Sequence, residues 1–312
     1  MHSHSILADL SAETFLTDFW QKQPICIKSA LRDYVSPISP DELAGLSLAA
    51  EIESRLVQGN TAQGWTLSHG PFAEHTFADL PADNWTLLVQ AVDLWFPEIK
   101  SLQDRFDFLP RWRFDDVMVS FATKGGSVGP HFDNYDVFLL QVMGQREWQI
   151  GQVCDATTEL DLRSGLRLLN DFQCQDVHTL DPGDMLYLPP GVAHWGVALN
   201  DCLTFSIGFR TPTLGEMMDD LATDLIADSE TFLRDPPLVP STAPDELPDA
   251  YLTQLQEFIA HLARDKQRLG EWYARYMSRP KYPDLVDQTN ERRVVRVGDQ
   301  EYVNGERQKA TE

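Results

Sequence analysis

Over Leu203–Phe209 apolar and polar residues alternate. Leu203, Phe205, Ile207 and Phe209 fall on one face, and Thr204, Ser206 and Gly208 on the other; this is the period of two expected of a strand. Val137–Val142 is instead an almost continuous apolar run, as in a strand buried on both sides. Gly144-Gln145 turns the chain back into Arg146–Ile150, where Arg146, Trp148 and Ile150 share parity. Met185–Leu188 predicts a short strand broken by Pro189-Pro190-Gly191, after which His194 opens another strand through Leu199. Pro24–Lys28 and Trp65–His69 also read as strands, and Trp112–Phe121 as one that leads into a glycine-rich turn. The strand signals concentrate in residues 111–210, so a barrel is expected there.

Helical patterns flank this region. Thr14–Trp20 reads as a short helix. Ser39-Pro40-Asp41-Glu42 is a helix start, with Ser39 as cap, Pro40 at the first helical position and Glu42 three residues after the cap. Trp85, Leu88, Val92 and Trp95 lie at helical spacing and predict an amphipathic helix over residues 84–95. Thr213–Glu216 is a capping box opening a helix through Ile226. Leu252, Leu255, Phe258, Ile259 and Leu262 place an apolar face on the next helix, and another follows through Trp272, Tyr273 and Met277. These helices hold too little to fold alone and are expected to pack on the barrel or on a second copy. Five prolines between Asp235 and Pro248 predict an extended linker. Arg292–Val303 reads as a hairpin turning at Gly298-Asp299. Residues 1–10, with His2 and His4, read as a loosely held tail, and 151–180 as a long variable connection.

Composition narrows the function. The chain has 312 residues, 43% of them hydrophobic, and a formal net charge of −23 with pI about 4.6. So acidic a surface disfavours nucleic acid and anionic membranes and attracts basic proteins. Cys26, Cys154, Cys174 and Cys202 show no C-x-x-C spacing, so neither a disulfide framework nor a zinc ribbon is indicated. There is no basic-then-apolar leader and no apolar run of about 18 residues, so a soluble cytoplasmic protein is expected.

The candidate chemistry lies in two stretches. Gly125-Gly-Ser-Val-Gly-Pro130 turns the chain into His131-x-Asp133, whose side chains would share one face of a strand, while Phe132 turns into packing. Gly183, Pro189, Gly191 and His194 form the second motif. Two imidazoles and one carboxylate with open coordination positions make the facial triad of non-haem Fe(II) oxygenases, although zinc and manganese accept the same donors. A barrel with two incidental histidines is the competing reading. His178 is a rival ligand placed at a strand edge or surface, and His69 is structural or lines the site. Arg146 has two readings: inside the barrel facing an anion, or at a hairpin mouth in water. Ser120, Thr204 and Ser206 are candidate cosubstrate contacts or small gap fillers. Tyr135, Asp136 and Asp116 are candidates for holding a cationic substrate side chain at the mouth.

The second motif resembles that of the cupin barrels, and its pairing with a glycine turn and H-x-D resembles the JmjC branch. The runs SPISPDELAGL, LSHGPF, NWTLLVQAV, GPHFDNYDVFLLQ and SIGFRTP are similar to the bacterial ribosomal oxygenases, which hydroxylate an arginine of large-subunit ribosomal protein sixteen. The similarity covers most of residues 10–280. It implies an α+β fold, with a double-stranded β-helix (cupin/JmjC jelly-roll barrel) carrying flanking N-terminal helices and a C-terminal helical region. It implies an oxygenase domain over 1–210, a helical dimerisation region over 211–280, and over 281–312 the entry to a winged-helix-like domain whose helices the chain does not reach. It implies Fe(II), 2-oxoglutarate and molecular oxygen, with His131, Asp133 and His194 on the metal and Arg146 on the distal carboxylate of 2-oxoglutarate. The partner implied is the basic ribosomal protein, hydroxylated on the arginine side chain near the backbone. One position departs from the family: residue 122 is Ala where a serine is expected. An oxygenase with another protein or small-molecule substrate, and a non-catalytic metal-binding cupin, are the alternatives.

Overall fold

The fold was described from a computed structural model, over residues 6–62, 64–228, 234–237, 245 and 247–309. The chain divides into two compact units, Met1–Thr211 and Pro212–Glu312.

The first unit is a jelly roll. Its strands are β1 (Ile25–Ile27), β2 (Ser54–Asn60), β3 (Gly64–His69), β4 (Trp85–Val89), β5 (Phe114–Ala122), β6 (Asp136–Met143), β7 (Arg146–Val153), β8 (Leu160–Asp161), β9 (Leu168–Leu169), β10 (Asp176–Leu180), β11 (Met185–Leu188), β12 (Val192–Ala198) and β13 (Cys202–Phe209). The major sheet has the order β1-β11-β6-β13-β5-β4-β2-β3, and the minor sheet β10-β7-β12.

Parity explains how the sheets pack. From β6, Phe138 and Leu140 join Phe15, Phe106, Tyr187, Phe205 and Phe209 in the large core behind the major sheet. Val137 and Leu139 instead meet Trp148 and Ile150 of the minor sheet. Both faces of β6 are therefore covered, which is why its sequence runs apolar without alternation. On β13, Leu203, Phe205, Ile207 and Phe209 point into the outer core, and Thr204 and Ser206 point into the barrel. The capping box is present at helix α1 (Pro40–Leu46): the Glu42 amide donates to Ser39 Oγ at 3.2 Å, and Glu42 Oε2 accepts from the Ser39 amide at 2.8 Å.

Several expectations change. The segment expected as a helix over 84–95 is strand β4, followed by Ala91 at φ 51° and a 3-10 turn over Val92–Leu94. β4 lies between β2 and β5, with Leu87 and Val89 in the outer core and Thr86 and Leu88 facing the barrel. Burial on both faces fills the strand with apolar residues, and their helical spacing is incidental. Ile6 and Leu7 are fully buried, so this part of the tail is anchored, whereas His2 and His4 lie outside the described residues. Residues 151–180 are not one loop but the end of β7, the β8–β9 hairpin and β10. Most of the proline-rich segment over 235–248 lies outside the described residues.

Asp136 is also not where it was expected. It is fully buried, with Oδ1 accepting from the Tyr187 hydroxyl at 2.7 Å and Oδ2 accepting from Gln21 at 3.0 Å and pairing with Arg113 at 3.2 Å. It belongs to the core behind the barrel, not to the mouth, because the bend at Asn134-Tyr135 breaks its register with Asp133. Removing one partner of a buried ion pair leaves the other charge uncompensated, at a cost of about 3–5 kcal/mol. Asp136→Ala is expected to lose that much in chemical denaturation while remaining folded molecules keep their metal affinity.

In the second unit, helix α2 (Leu214–Asp228) begins at the expected box, with Glu216 Oε2 accepting from the Thr213 amide at 2.7 Å. Helices α3 (Asp249–Arg264) and α4 (Lys266–Ser278) follow, then strands β14 (Val294–Val297), β15 (Gln300–Val303) and β16 (Glu306–Arg307). Trp272, Tyr276 and Met277 of α4 are buried, as are Val295 and Tyr302 of the small sheet. Trp272 Nε1 donates to Asp220 Oδ1 at 2.9 Å, and Arg275 pairs with Asp224 at 2.6 Å. On α3, by contrast, Leu252, Leu255, Phe258 and Ile259 are exposed.

Candidate active site

The barrel encloses a cavity of about 460 Å³ between its two sheets. His131, Asp133 and His194 meet at its wall, each with one ligand atom within 4.8 Å of the others'. His131 makes an isolated bridge with His194, its amide donating at 3.0 Å and its carbonyl accepting at 2.8 Å. The H-x-D segment is otherwise not a strand, in contrast to the expectation. The Asp133 carbonyl is held by the Gly191 amide at 2.7 Å, so two main-chain contacts do the work of a ladder. His194 lies inside β12 rather than opening it, next to a bulge between Val192 and His194.

Each imidazole is aimed by its own backbone. His131 Nδ1 bonds the Gly129 carbonyl at 2.9 Å, and His194 Nδ1 bonds the Val192 carbonyl at 3.0 Å. A carbonyl only accepts, so Nδ1 carries the proton and Nε2 keeps its lone pair. Burial, then the neighbouring His131, hold His194 down to about 4 against the opposing pull of Asp133. A neutral ring is the form that binds metal. The rings lie 4.3 Å apart, and His194 Nε2 is 3.7 Å from Asp133 Oδ2. Two imidazoles and a carboxylate turned toward one point fit a divalent metal.

Arg146 lies in the same cavity and is 2% exposed. Its guanidinium sits 4.9 Å from the Trp148 ring centroid, and its only hydrogen bonds among the described residues are long: 3.4 Å to Ser120 Oγ and 3.4 Å to the Gly196 carbonyl. Its Nε has no partner, and burial lowers its pKa. A buried guanidinium without a carboxylate calls for an anion, and its planar fork suits a carboxylate. The donor set at one point and the orphaned cation at another fit a metal with a dicarboxylate spanning the space between.

Ser120, Thr204 and Ser206 line the cavity. Ser120 Oγ donates to the Thr204 carbonyl at 3.4 Å, and the Thr204 hydroxyl is engaged by Gln141 Oε1 at 2.9 Å. Tyr135 lines the mouth and is 42% exposed; the Asp133 carboxylate, then burial, push its phenol far above the usual range. Asp116 is buried and does not line the cavity; its Oδ2 accepts from Gln90 at 2.8 Å. Its parity on β5 matches that of Met118 and Ser120, so it lies one step beyond them. Ala122 packs with Ala198 and Cys202 outside the cavity, so the serine missing there removes no lining group. His178 pairs with Asp176 at 2.9 Å on β10, away from the triad. His69 does line the cavity.

Sequence reading missed Arg55, Met118 and the Gly165–Leu168 turn among the lining residues. Strands β8 and β9 have two residues each, too few to show a period.

A jelly roll with this triad beside a buried arginine defines a class, the mononuclear metal oxygenases of the JmjC/cupin type. The JmjC domain model matches residues 101–217. The chain is 35% identical to the ribosomal protein uL16 3-hydroxylase of Escherichia coli K12, over 94% of its own length and 84% of that protein. It is 41% identical to a Haemophilus influenzae protein named a probable ribosomal oxygenase, over 68% of this chain and 53% of that one. The structure of YcfD, a ribosomal oxygenase from Escherichia coli in complex with cobalt and 2-oxoglutarate, superposes with TM-score 0.85 at 33% identity, covering 96% of this chain and 86% of that one. The chain belongs to the JmjC family of ribosomal oxygenases.

Proposed function

We propose that the protein is an Fe(II)- and 2-oxoglutarate-dependent hydroxylase of ribosomal protein uL16, acting at the 3-position of an arginine. The observation that carries this is one cavity with His131, Asp133 and His194 converging on its wall and the unpaired Arg146 buried within it. His131, Asp133 and His194 would hold the iron, and Arg146 the distal carboxylate of 2-oxoglutarate. Iron, 2-oxoglutarate and oxygen together supply the oxidising power to place a hydroxyl on an unactivated C–H bond, with succinate and carbon dioxide as co-products. The chain's own part is to present the two imidazoles, anchor the cosubstrate and exclude water. Ser120 steadies Arg146, while Thr204 and Ser206 add polar wall.

The acidic chain would draw in a basic ribosomal protein, and encounter would slow with salt. Incubation with iron, 2-oxoglutarate and a uL16 peptide is expected to add one oxygen to one arginine, read by fragment mass spectrometry. Vigorous succinate formation with no peptide mass gain would retain the oxygenase and reject this substrate.

No helix among the described residues is long and apolar enough to cross a membrane. We place the protein in the cytoplasm, without direct nucleic-acid contact. The region 211–280 serves in dimerisation and 281–312 as part of a winged-helix-like element. The exposed Leu252, Leu255, Phe258 and Ile259 of α3 support a second copy as their cover. Light scattering at micromolar concentration is expected to give twice the chain mass, and Phe258→Asp the monomer mass; a monomeric parent protein would remove the dimer.

A further inference from the structure

Gly196 faces Trp148 across the β12–β7 ladder, two pairs from the one that Arg146 makes with Ala198. A Cβ built on it would lie 2.6 Å from Trp148 Cζ3, 2.7 Å from Trp148 Cη2 and 2.7 Å from Arg146 Nε. Its φ is not in the left-handed region, so space and not backbone conformation demands glycine here. Trp148 is 4% exposed and Arg146 2%, so neither can swing aside into solvent. A side chain at this position therefore has to push the guanidinium or the indole toward the cavity that both of them line.

The carbonyl of Gly196 is fixed as well. It accepts from Arg146 Nη2 at 3.4 Å and from Ser127 Oγ at 2.7 Å. The Ser127 hydroxyl is 2% exposed as a residue and fully used. It donates its one proton to Gly196 and accepts from Trp195 Nε1 at 3.0 Å and from the Gly129 amide at 3.1 Å. Gly129 in turn offers the carbonyl that aims His131. One buried hydroxyl therefore joins the support of the arginine to the support of a triad histidine.

We propose that Gly196, held by Ser127, is a positioning residue that sets where the Arg146 guanidinium stands relative to the triad, and thereby makes the cavity select a five-carbon dicarboxylate over shorter 2-oxo acids. This rests on the reading of Arg146 as the anchor of the distal carboxylate. A side chain at 196 displaces the guanidinium but leaves the triad ligands in place. It therefore weakens ligands that span the cavity and spares those that bind only at the metal.

The test is calorimetric binding of 2-oxoglutarate and of oxalate, which has no distal arm, to the iron-loaded protein under argon. For Gly196→Ala, 2-oxoglutarate affinity is expected to fall about tenfold or more, the scale of overpacking a tight site, with oxalate affinity and iron stoichiometry unchanged. Gly196→Ala combined with Trp148→Leu is expected to regain part of the loss. Should Gly196→Ala not fold, the Gly196→Ala/Trp148→Leu double variant serves, with a smaller loss for 2-oxoglutarate and oxalate affinity unchanged. Equal losses for both ligands would overturn the proposal, because the triad would then be what moved. Unchanged 2-oxoglutarate affinity would also overturn it, provided that Arg146→Ala still weakens that affinity by about thirtyfold or more. If Arg146→Ala changes nothing either, the reading of Arg146 is what fails.

Discussion

Replacing His131 by alanine is expected to lower 2-oxoglutarate turnover by more than about a hundredfold, since even partners one step removed from a metal cost 10–100-fold when lost. The fold should survive. The bridge that joins residue 131 to residue 194 is made by the main chain, through an amide and a carbonyl that alanine retains. The side chain is half-buried at the cavity wall and carries no packing of the outer core. Thermal unfolding of the metal-free variant should therefore match that of the metal-free parent, while iron binding followed by calorimetry is lost. Full succinate formation by the variant would remove His131 from the metal.

Arg146→Ala is expected to act in two opposite directions. Truncating one side of a buried, hydrogen-bonded charge pair costs about 2–5 kcal/mol, which is roughly thirtyfold to a few thousandfold in the 2-oxoglutarate requirement. Without cosubstrate, however, the guanidinium has among the described residues only two long hydrogen bonds and the Trp148 ring to offset its desolvation. Arg146→Met, which keeps the volume without the charge, should raise the melting temperature of the ligand-free protein while weakening 2-oxoglutarate to a similar degree as alanine. Loss of stability in the ligand-free Met variant, or an unchanged 2-oxoglutarate dependence, would move the arginine out of the role of anchor.

How far the sequence could be read depended on whether one face of an element differed from the other. On β13 the two faces do differ, apolar outward and small polar inward, so the pattern of residues 203–209 separated the faces, although not which of them lines the cavity. Arg146 was legible only in part: its parity with Trp148 and Ile150 left the barrel interior and the hairpin mouth both open, and its burial in the cavity favours the first. β4 was not, because its two faces are both buried and its apolar residues could be spaced either way. Asp136 was misplaced because the bend at Asn134-Tyr135 breaks the count from Asp133, and a bend leaves no periodic trace. Ser127 was passed over because its value lies in three hydrogen bonds to residues 2, 68 and 69 positions away, which no local pattern encodes.

The imidazole clamps bear on how this site can drift through mutation. The acceptors for His131 and His194 are the carbonyls of Gly129 and Val192. Every amino acid carries that group, so no codon change at either position deletes the acceptor; it can only be shifted. Val192 should then tolerate a range of apolar replacements in a saturation library, filtered by volume alone. Gly129 should tolerate almost none, because its φ of +80° is strained for other residues and a Cβ would lie 2.5 Å from Leu168 Cδ2. Two positions with the same chemical duty thus stand at opposite ends of the mutational spectrum, and loss of ligand orientation in this lineage would arise through backbone shape, not through the exchange of a hydrogen-bonding side chain.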